Sequence, residues 1–164
     1  MKIIRTLALF LSLFVTSFAF AQYDIEDQEE TVLLENNKTI LKINIKEPFL
    51  QVAVKNCKDF KAASYPDGIS VYKDTLRKYM YNYLNSEFYV LNGDFTFTLT
   101  IDQTGKVIDV EGSPKVNNSQ VFFEDMKYVV RRINKNWIPA SCNGQSVTSE
   151  VKIKMNFSSI ATDL

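Results

Sequence analysis

The stretch of sequence that decides the fold runs from Gly93 to Phe157. It opens with Gly93–Ile101, GDFTFTLTI, in which apolar residues and threonines alternate with a period of two. This alternation of aromatic and β-branched residues predicts a strand with one buried face. A turn containing Gly105 follows, and Val107–Val110 predicts the partner strand of a hairpin.

A helix and a last strand complete this stretch. Five apolar residues recur at helical spacing, which predicts one continuous buried stripe on a helix. They are Phe122, Met126, Val129, Ile133 and Trp137. From Val147 to Phe157 apolar and polar residues alternate again, and this is the most regular strand pattern in the chain.

An earlier helix is predicted to begin near Gly68 to Ser70 and to end at Ser86-Glu87. Either Asp67 or Ser70 could supply its N-cap, because short polar side chains accept hydrogen bonds from the first free N–H groups. A partly aromatic stripe recurs along it at helical spacing: Tyr72, Leu76, Tyr79 and Tyr83. We interpret this stripe as core packing and not as a ligand pocket.

These elements together resemble the C-terminal domain of TonB, in particular the versions abundant in Bacteroidetes. The resemblance is carried by short motifs in the same order along the chain. They are YPDG at 65–68, DQTGKV at 102–107, WIPA at 137–140, NG at 143–144 and MNF at 155–157. The similarity covers residues 59–157, and the run from the tryptophan to the last phenylalanine is its most specific part.

The fold class predicted from these elements is α+β, with a three-stranded antiparallel sheet and two helices on one face. The right-handed crossover rule places the strands in the order two-one-three. The edges of that sheet would then be Val107–Val110 and Val147–Phe157. Upstream, Thr31–Leu34 and Thr39–Ile45 flank turn-forming residues at 36–38 and predict an accessory hairpin, and Phe49–Val54 predicts a further strand.

The chain begins with the pattern of a secretory signal peptide. Lys2 and Arg5 precede the apolar run Leu7–Val15, and an Ala-Phe-Ala cleavage motif ends at Ala21. The alternative is a retained membrane anchor, but the apolar run is shorter than the ~20 residues that a span needs. We therefore divide the chain into a signal peptide (1–21), an N-terminal extension (22–58), the TonB-like domain (59–157) and a tail (158–164).

The two cysteines, Cys57 and Cys142, both lie in the part predicted to be exported. An even number of cysteines in an oxidising compartment predicts a disulfide bond between them. The alternative, two buried free thiols, stays open at this point. The predicted location is the periplasm or the extracellular medium.

The composition argues against an enzyme. The chain contains no histidine, which removes histidine-based nucleophile pairs and the commonest metal ligand. Its five glycines form no phosphate-binding loop, so we predict no cofactor. Without the signal peptide, 17 basic residues face 19 acidic ones, and no basic cluster predicts nucleic-acid binding.

The resemblance to TonB implies that the last strand binds an extended peptide of a partner by β-strand addition, as with the TonB box of an outer-membrane transporter. The predicted partner-binding residues are Thr148, Glu150, Lys152 and Lys154. The alternative is that the two lysines protect an exposed edge from pairing. A second copy of the chain could also pair there. Two other classes stay open: a membrane-anchored energy transducer, and an unrelated exported inhibitor or ligand-binding domain.

The cleavage motif generates a first prediction, that the mature protein begins at Gln22. Mass spectrometry of the intact protein from its native host should give the mass of residues 22–164. Recovery of residues 1–21 on protein held in the membrane fraction would contradict this prediction and support the anchored class.

Overall fold

The computed structural model describes residues 31–35, 39–84, 89–117 and 119–161, with side chains from residue 40 onward. These residues form an α+β fold of two helices and two antiparallel sheets. The elements in chain order are β1 (Thr31–Glu35), β2 (Thr39–Ile45), β3 (Leu50–Val52), β4 (Phe60–Lys61), α1 (Ile69–Tyr83), β5 (Asn92–Ile101), β6 (Val107–Ser113), α2 (Gln120–Arg132), β7 (Ala140–Cys142), β8 (Gln145–Val147) and β9 (Ser149–Ala161).

The larger sheet is organised around β9. Its strands follow the order β1-β2-β9-β5-β6, and β3 also pairs with β9. On one side β9 is paired with β5 from Ser149 to Ser158. On its other side it is paired with β3 near Lys152 and with β2 from Met155 to Ala161. Both edges of β9 are therefore occupied.

The prediction of a three-stranded sheet with the last strand on an edge was thus wrong. The predicted neighbours β6, β5 and β9 are adjacent, but β2 and β3 extend the sheet beyond β9. The reason is apolar burial, because Leu41, Ile43 and Ile45 of β2 are completely or almost completely buried. The N-terminal strands β1 and β2 do pair as a hairpin, as predicted, and β2 contributes buried residues to the core.

Alternate residues of the sheet and one stripe of each helix share a single core. The Phe122 ring of α2 makes edge-to-face contacts with Phe95, Phe97 and Phe157 at centroid distances of 5.2–5.9 Å. These contacts dock α2 on the face of the sheet formed by β5 and β9. The alternation predicted for β5 and for most of the last strand is confirmed by this burial.

The second helix is shorter than its apolar stripe predicted. It ends at Arg132, with Ile133 as the C-cap, so Trp137 lies beyond the helix. Trp137 packs edge-to-face on Tyr72 of α1 and on Tyr65, with centroids 4.9 and 5.6 Å apart. The spacing of Trp137 matched a helix by coincidence, because its buried side chain belongs to the segment that follows the helix.

The first helix begins where predicted, but its capping differs. Gly68 occupies the N-cap position, and no side chain caps the helix. Asp67 instead forms an ion pair with Lys135. Tyr72 is buried, whereas Tyr83 is 40% exposed, so the tyrosine stripe leaves the core at its C-terminal end. The C-cap is Leu84, and the predicted end at Ser86-Glu87 lies outside the described residues.

The last strand is displaced relative to its predicted bounds. Val147 belongs to β8, Thr148 separates the two strands, and β9 continues through Ala161 into the predicted tail. The predicted turn at Asn143-Gly144 is confirmed, because it joins β7 to β8 with positive φ angles of 52° and 83°.

The smaller sheet ties the N-terminal extension to the rest of the chain. It has the order β4-β7-β8, and Cys57 before β4 forms a disulfide bond with Cys142 of β7. This confirms the predicted pairing. The bond closes a loop with a sequence separation of 85, which on the chain-entropy model stabilises the fold by about 4.6 kcal/mol.

The position of β9 generates a second prediction, on Lys152. The backbone of Lys152 faces β3, so Lys152→Pro removes an N–H donor from the pairing of the central strand β9 with β3. The unpaired acceptor alone should lower the free energy of unfolding by about 1–3 kcal/mol. Lys152→Ala keeps the backbone and should change it by less than about 0.5 kcal/mol. Urea denaturation of both variants tests this, and equal stability of the two would contradict a central position for β9.

Candidate functional site

The four residues predicted to bind a partner lie at and beside the start of β9. Thr148 precedes the strand, and the other three alternate along it. Lys152 and Lys154 lie directly opposite Thr98 and Thr96 of β5. Opposite residues of an antiparallel pair share one face, which here is the face away from the buried core. The structure therefore brings Glu150, Lys152 and Lys154 together on the open face of the sheet.

The outer edge of β9 is closed to a peptide. The Lys46 N–H donates to the Lys154 carbonyl at 2.8 Å, and β2 and β3 pair with the remainder of that edge. Lys154 also lies 3.5 Å from Asp94, in an exposed ion pair that Lys46 shares at 3.2 Å. A partner can reach the predicted residues from the open face only.

The second predicted edge, β6, is an edge of the sheet in the structure. Among the described strands it pairs with β5 only. The Ile108 carbonyl accepts a hydrogen bond from the Arg131 guanidinium, so this carbonyl points away from β5. Because backbone groups alternate along an antiparallel strand, those of Val110 and Gly112 point outward as well. This row of outward N–H and C=O groups is the β6 edge.

Two side chains of α2 reach the β6 edge. Lys127 bonds to Asp109, and Arg131 lies 3.8 Å from the same carboxylate. The Lys127 hydrogen bond, assisted by the nearby positive charges, holds the pKa of Asp109 below its usual range. Further along, Gly112 lets the Phe123 ring approach, because a Cβ there would lie 2.1 Å from it. Side chains of α2 therefore contact β6 both at its edge and beside Gly112.

An open cleft lies where β6 begins. It has a volume of about 580 Å³ and is bounded by the first residues of β6, the C-terminal end of α2 and the segment 133–136. Its charged lining residues are Lys106, Arg131 and Lys135, and its apolar ones include Ile108 and Ile133. Ile108 is 45% exposed. We call this feature the β6 cleft.

The hairpin turn before β6 holds one wall of this cleft. The Asp102 carboxylate accepts hydrogen bonds from the Thr104 N–H and hydroxyl and from the Lys106 N–H. The hydrogen bond from the Thr104 hydroxyl is the largest cause that lowers the pKa of Asp102, and the two backbone hydrogen bonds lower it further. The Gly105 carbonyl in turn accepts a 2.8 Å bond from the Trp137 N–H. Asp102 thus has a structural role in the turn.

A second exposed feature was not predicted from the sequence. Tyr83 and Tyr128 meet edge-to-face across the two helices, with ring centroids 5.6 Å apart. The Arg132 guanidinium carbon lies 5.5 Å from each ring centroid, within cation–π range. The periodic tyrosines were the available signal, but periodicity does not indicate which of them leaves the core.

A smaller cavity of about 230 Å³ lies between β3 and the beginning of α1, lined by Phe49, Gln51 and Tyr65 among others. The Gln51 amide donates to the Ala63 carbonyl at 3.1 Å. Its Oε1 atom has no hydrogen-bond partner among the described residues. This cavity is far smaller than the β6 cleft.

The described residues contain no group of three or more cysteine, aspartate or glutamate side chains arranged to hold a metal ion. Within the same residues, no helix is long and apolar enough to cross a membrane. The predicted signal peptide lies outside them. Comparisons of the chain with protein-family models, with curated proteins and with solved structures give no match.

The contact between Gly105 and Trp137 generates a third prediction. Gly105 and Gly144 both have φ of 83°, but only a Cβ at Gly105 would meet a neighbour, at 1.8 Å from the Trp137 carbonyl oxygen. Gly144→Ala should lower the free energy of unfolding by about 1–2 kcal/mol through backbone strain alone. Gly105→Ala should cost clearly more, because the Trp137 backbone must also move.

Chemical denaturation of the two variants measures this difference directly. Equal losses of stability would show that the turn does not depend on its contact with Trp137. The wall of the β6 cleft would then not be fixed as described.

Proposed function

We propose that this protein is an exported protein-interaction module that binds an extended segment of a partner by β-strand addition at the β6 edge. The observation that carries the proposal is the row of outward backbone groups at Ile108, Val110 and Gly112. Backbone hydrogen bonds provide affinity in this mode of recognition, and alternate side chains provide register.

Burial explains why the proposal uses β6 and not β9. A peptide could reach the edge of β9 only by displacing β2, whose Leu41, Ile43 and Ile45 are buried. Exposing three such side chains costs about 5–9 kcal/mol. This is comparable to the total stability of a typical domain, about 5–15 kcal/mol. Displacement of β2 would therefore unfold the protein.

The β6 edge is prepared for an added strand. Its register is fixed by β5 on one side, and Val110 and Phe123 pack it against the core. Little ordering cost falls on the protein when such an edge accepts a peptide. In the unbound protein the Arg131 guanidinium donates a hydrogen bond to the Ile108 carbonyl. An N–H of the added peptide would replace this donor.

The resemblance to the TonB C-terminal domain supports a partner in the bacterial envelope, such as the TonB-box-like peptide of an outer-membrane transporter. A second copy of the chain is another occupant that an edge strand accepts. Thr148, Glu150, Lys152 and Lys154 would contact a partner that extends over the open face of the sheet. The disulfide bond supports a location in the periplasm or outside the cell.

A fourth prediction tests the edge with a matched pair of variants at Ile108. Ile108→Pro removes the backbone donor of a residue whose carbonyl points outward and adds a ring, whereas Ile108→Ala shortens only the exposed side chain. The Ala variant of the mature protein should capture the partner from envelope extract. The Pro variant should capture at least tenfold less of it. Thermal melts of both variants are the control for folding, because Ile108 lies at an irregularity in the pairing of β6 with β5.

Amide hydrogen exchange locates the bound partner. On binding, protection should rise along 107–113 and stay unchanged along 149–161. Equal capture by the two variants, or new protection outside β6, would show that the partner docks elsewhere.

A further inference from the structure

The β6 cleft has an uneven charge distribution. Among the described residues that line it, the charged ones are all basic, namely Lys106, Arg131 and Lys135. Arg131 and Lys135 are roughly half exposed, so their charged groups are accessible to solvent. Asn134 and Asn136 add neutral hydrogen-bonding groups beside them. The lining thus offers donors suited to carboxylate oxygens.

The polarity of the sheet directs one end of an added peptide to this cleft. Every strand pair in the described sheets is antiparallel. A peptide that continues this pattern on β6 runs opposite to the direction from Val107 to Ser113. Its C-terminal portion therefore passes Ile108 and Val107 last and enters the β6 cleft.

Each basic group of the cleft has a carboxylate neighbour outside the lining. Lys135 pairs with Asp67, Arg131 lies 3.8 Å from Asp109, and Lys106 lowers the pKa of Asp102 through its charge. Exposed pairs of this kind contribute only about 0–1 kcal/mol each, so an incoming carboxylate can join or replace them. These neighbours hold the cations in place at the cleft.

The C-terminal end of α2 also lies at the cleft, and its free carbonyls carry a partial negative charge. Arg131 and Arg132 in the last turn oppose that charge. The apolar floor contributed by Val107 and Ile133 can accept the methylene groups of an acidic side chain. The cleft, at about 580 Å³, has room for more than one residue.

From this geometry we infer that the partner segment carries acidic side chains directly after the residues that pair with β6, and that these carboxylates bind in the β6 cleft between Lys106, Arg131 and Lys135. This inference rests on the proposed function, because strand addition at β6 delivers the acidic residues. It specifies the chemistry of the partner, an extended segment followed by aspartate or glutamate.

The test uses two synthetic peptides with blocked termini, which removes any contribution from a terminal carboxylate. Both contain the same segment of alternating threonine and valine, followed by aspartates in one peptide and by asparagines in the other. Fluorescence anisotropy with the folded mature protein should show about tenfold tighter binding of the aspartate peptide. This difference corresponds to about 1.4 kcal/mol, within the sum expected for a few exposed ion pairs.

Matched variants assign that preference to the cleft. Removing Lys106 and Lys135 together by alanine substitution should remove most of it without altering binding of the asparagine peptide. Arg131 is retained because it also contacts the β6 backbone. The control replaces Lys78 on α1 and Lys115 beyond the far end of β6, which removes the same charge and should leave the preference intact.

The outcomes separate the two proposals. Equal affinity for both peptides, with new amide protection along 107–113, would retain strand addition and overturn the acidic specificity. If the control variant, and not the cleft variant, loses the preference for the aspartate peptide, the acidic residues bind at the opposite end of β6. This outcome would also overturn the proposed acidic specificity of the cleft. Binding of neither peptide would contradict both proposals.

Discussion

The fold depends on the pairing of β9 along both of its edges. A central strand satisfies its backbone groups on two sides, and the alternation of Val151, Ile153, Met155 and Phe157 directs four apolar side chains into one core. A shift by one residue would turn all four to water, so the register of β2, β3 and β5 follows from this strand. The helices then pack on a surface whose geometry is already fixed.

Two further ties connect segments that are distant in sequence. The disulfide bond joins the region after β3 to β7, so the N-terminal extension cannot separate freely from the hairpin that precedes β9. Trp137 joins the β5–β6 turn to α1, through its N–H to Gly105 and its ring to Tyr72. Each tie acts near one end of β9 or β6, where a sheet of this size would otherwise fray.

The same pairing decides where the protein can bind. Because β2 and β3 close one edge of β9, the resemblance to TonB cannot be transferred to this strand as an open docking edge. The edge at β6 remains, and the early end of α2 at Arg132 leaves the β6 cleft beside its first residues. The proposed site thus depends on where a helix ends as much as on a strand.

Local pattern in the sequence determined much of the secondary structure. The alternation of Phe95 to Ile101, the turn at Asn143-Gly144 and the helical stripe around Phe122 each reflect a periodicity or a backbone preference that neighbouring residues impose. The pairing of Cys57 with Cys142 also followed from the sequence, because the chain is predicted to be exported and two cysteines have one intramolecular partner each. The β6 strand was correctly placed at an edge, because the crossover rule puts the last strand on the other side of β5.

Only the tertiary structure decided which strands close the second edge of β9. The alternation in Thr39–Ile45 shows that this strand has a buried side but not which edge it joins, since any edge with an open core would accept it. Glu150, Lys152 and Lys154 alternate with buried residues, as the pattern from Val147 to Phe157 predicts, yet their backbone edge is closed by residues about a hundred positions earlier. The cationic lining of the β6 cleft likewise combines residues from a turn, a helix end and a loop. Contacts of this kind are set by long-range packing, which periodicity along the chain does not record.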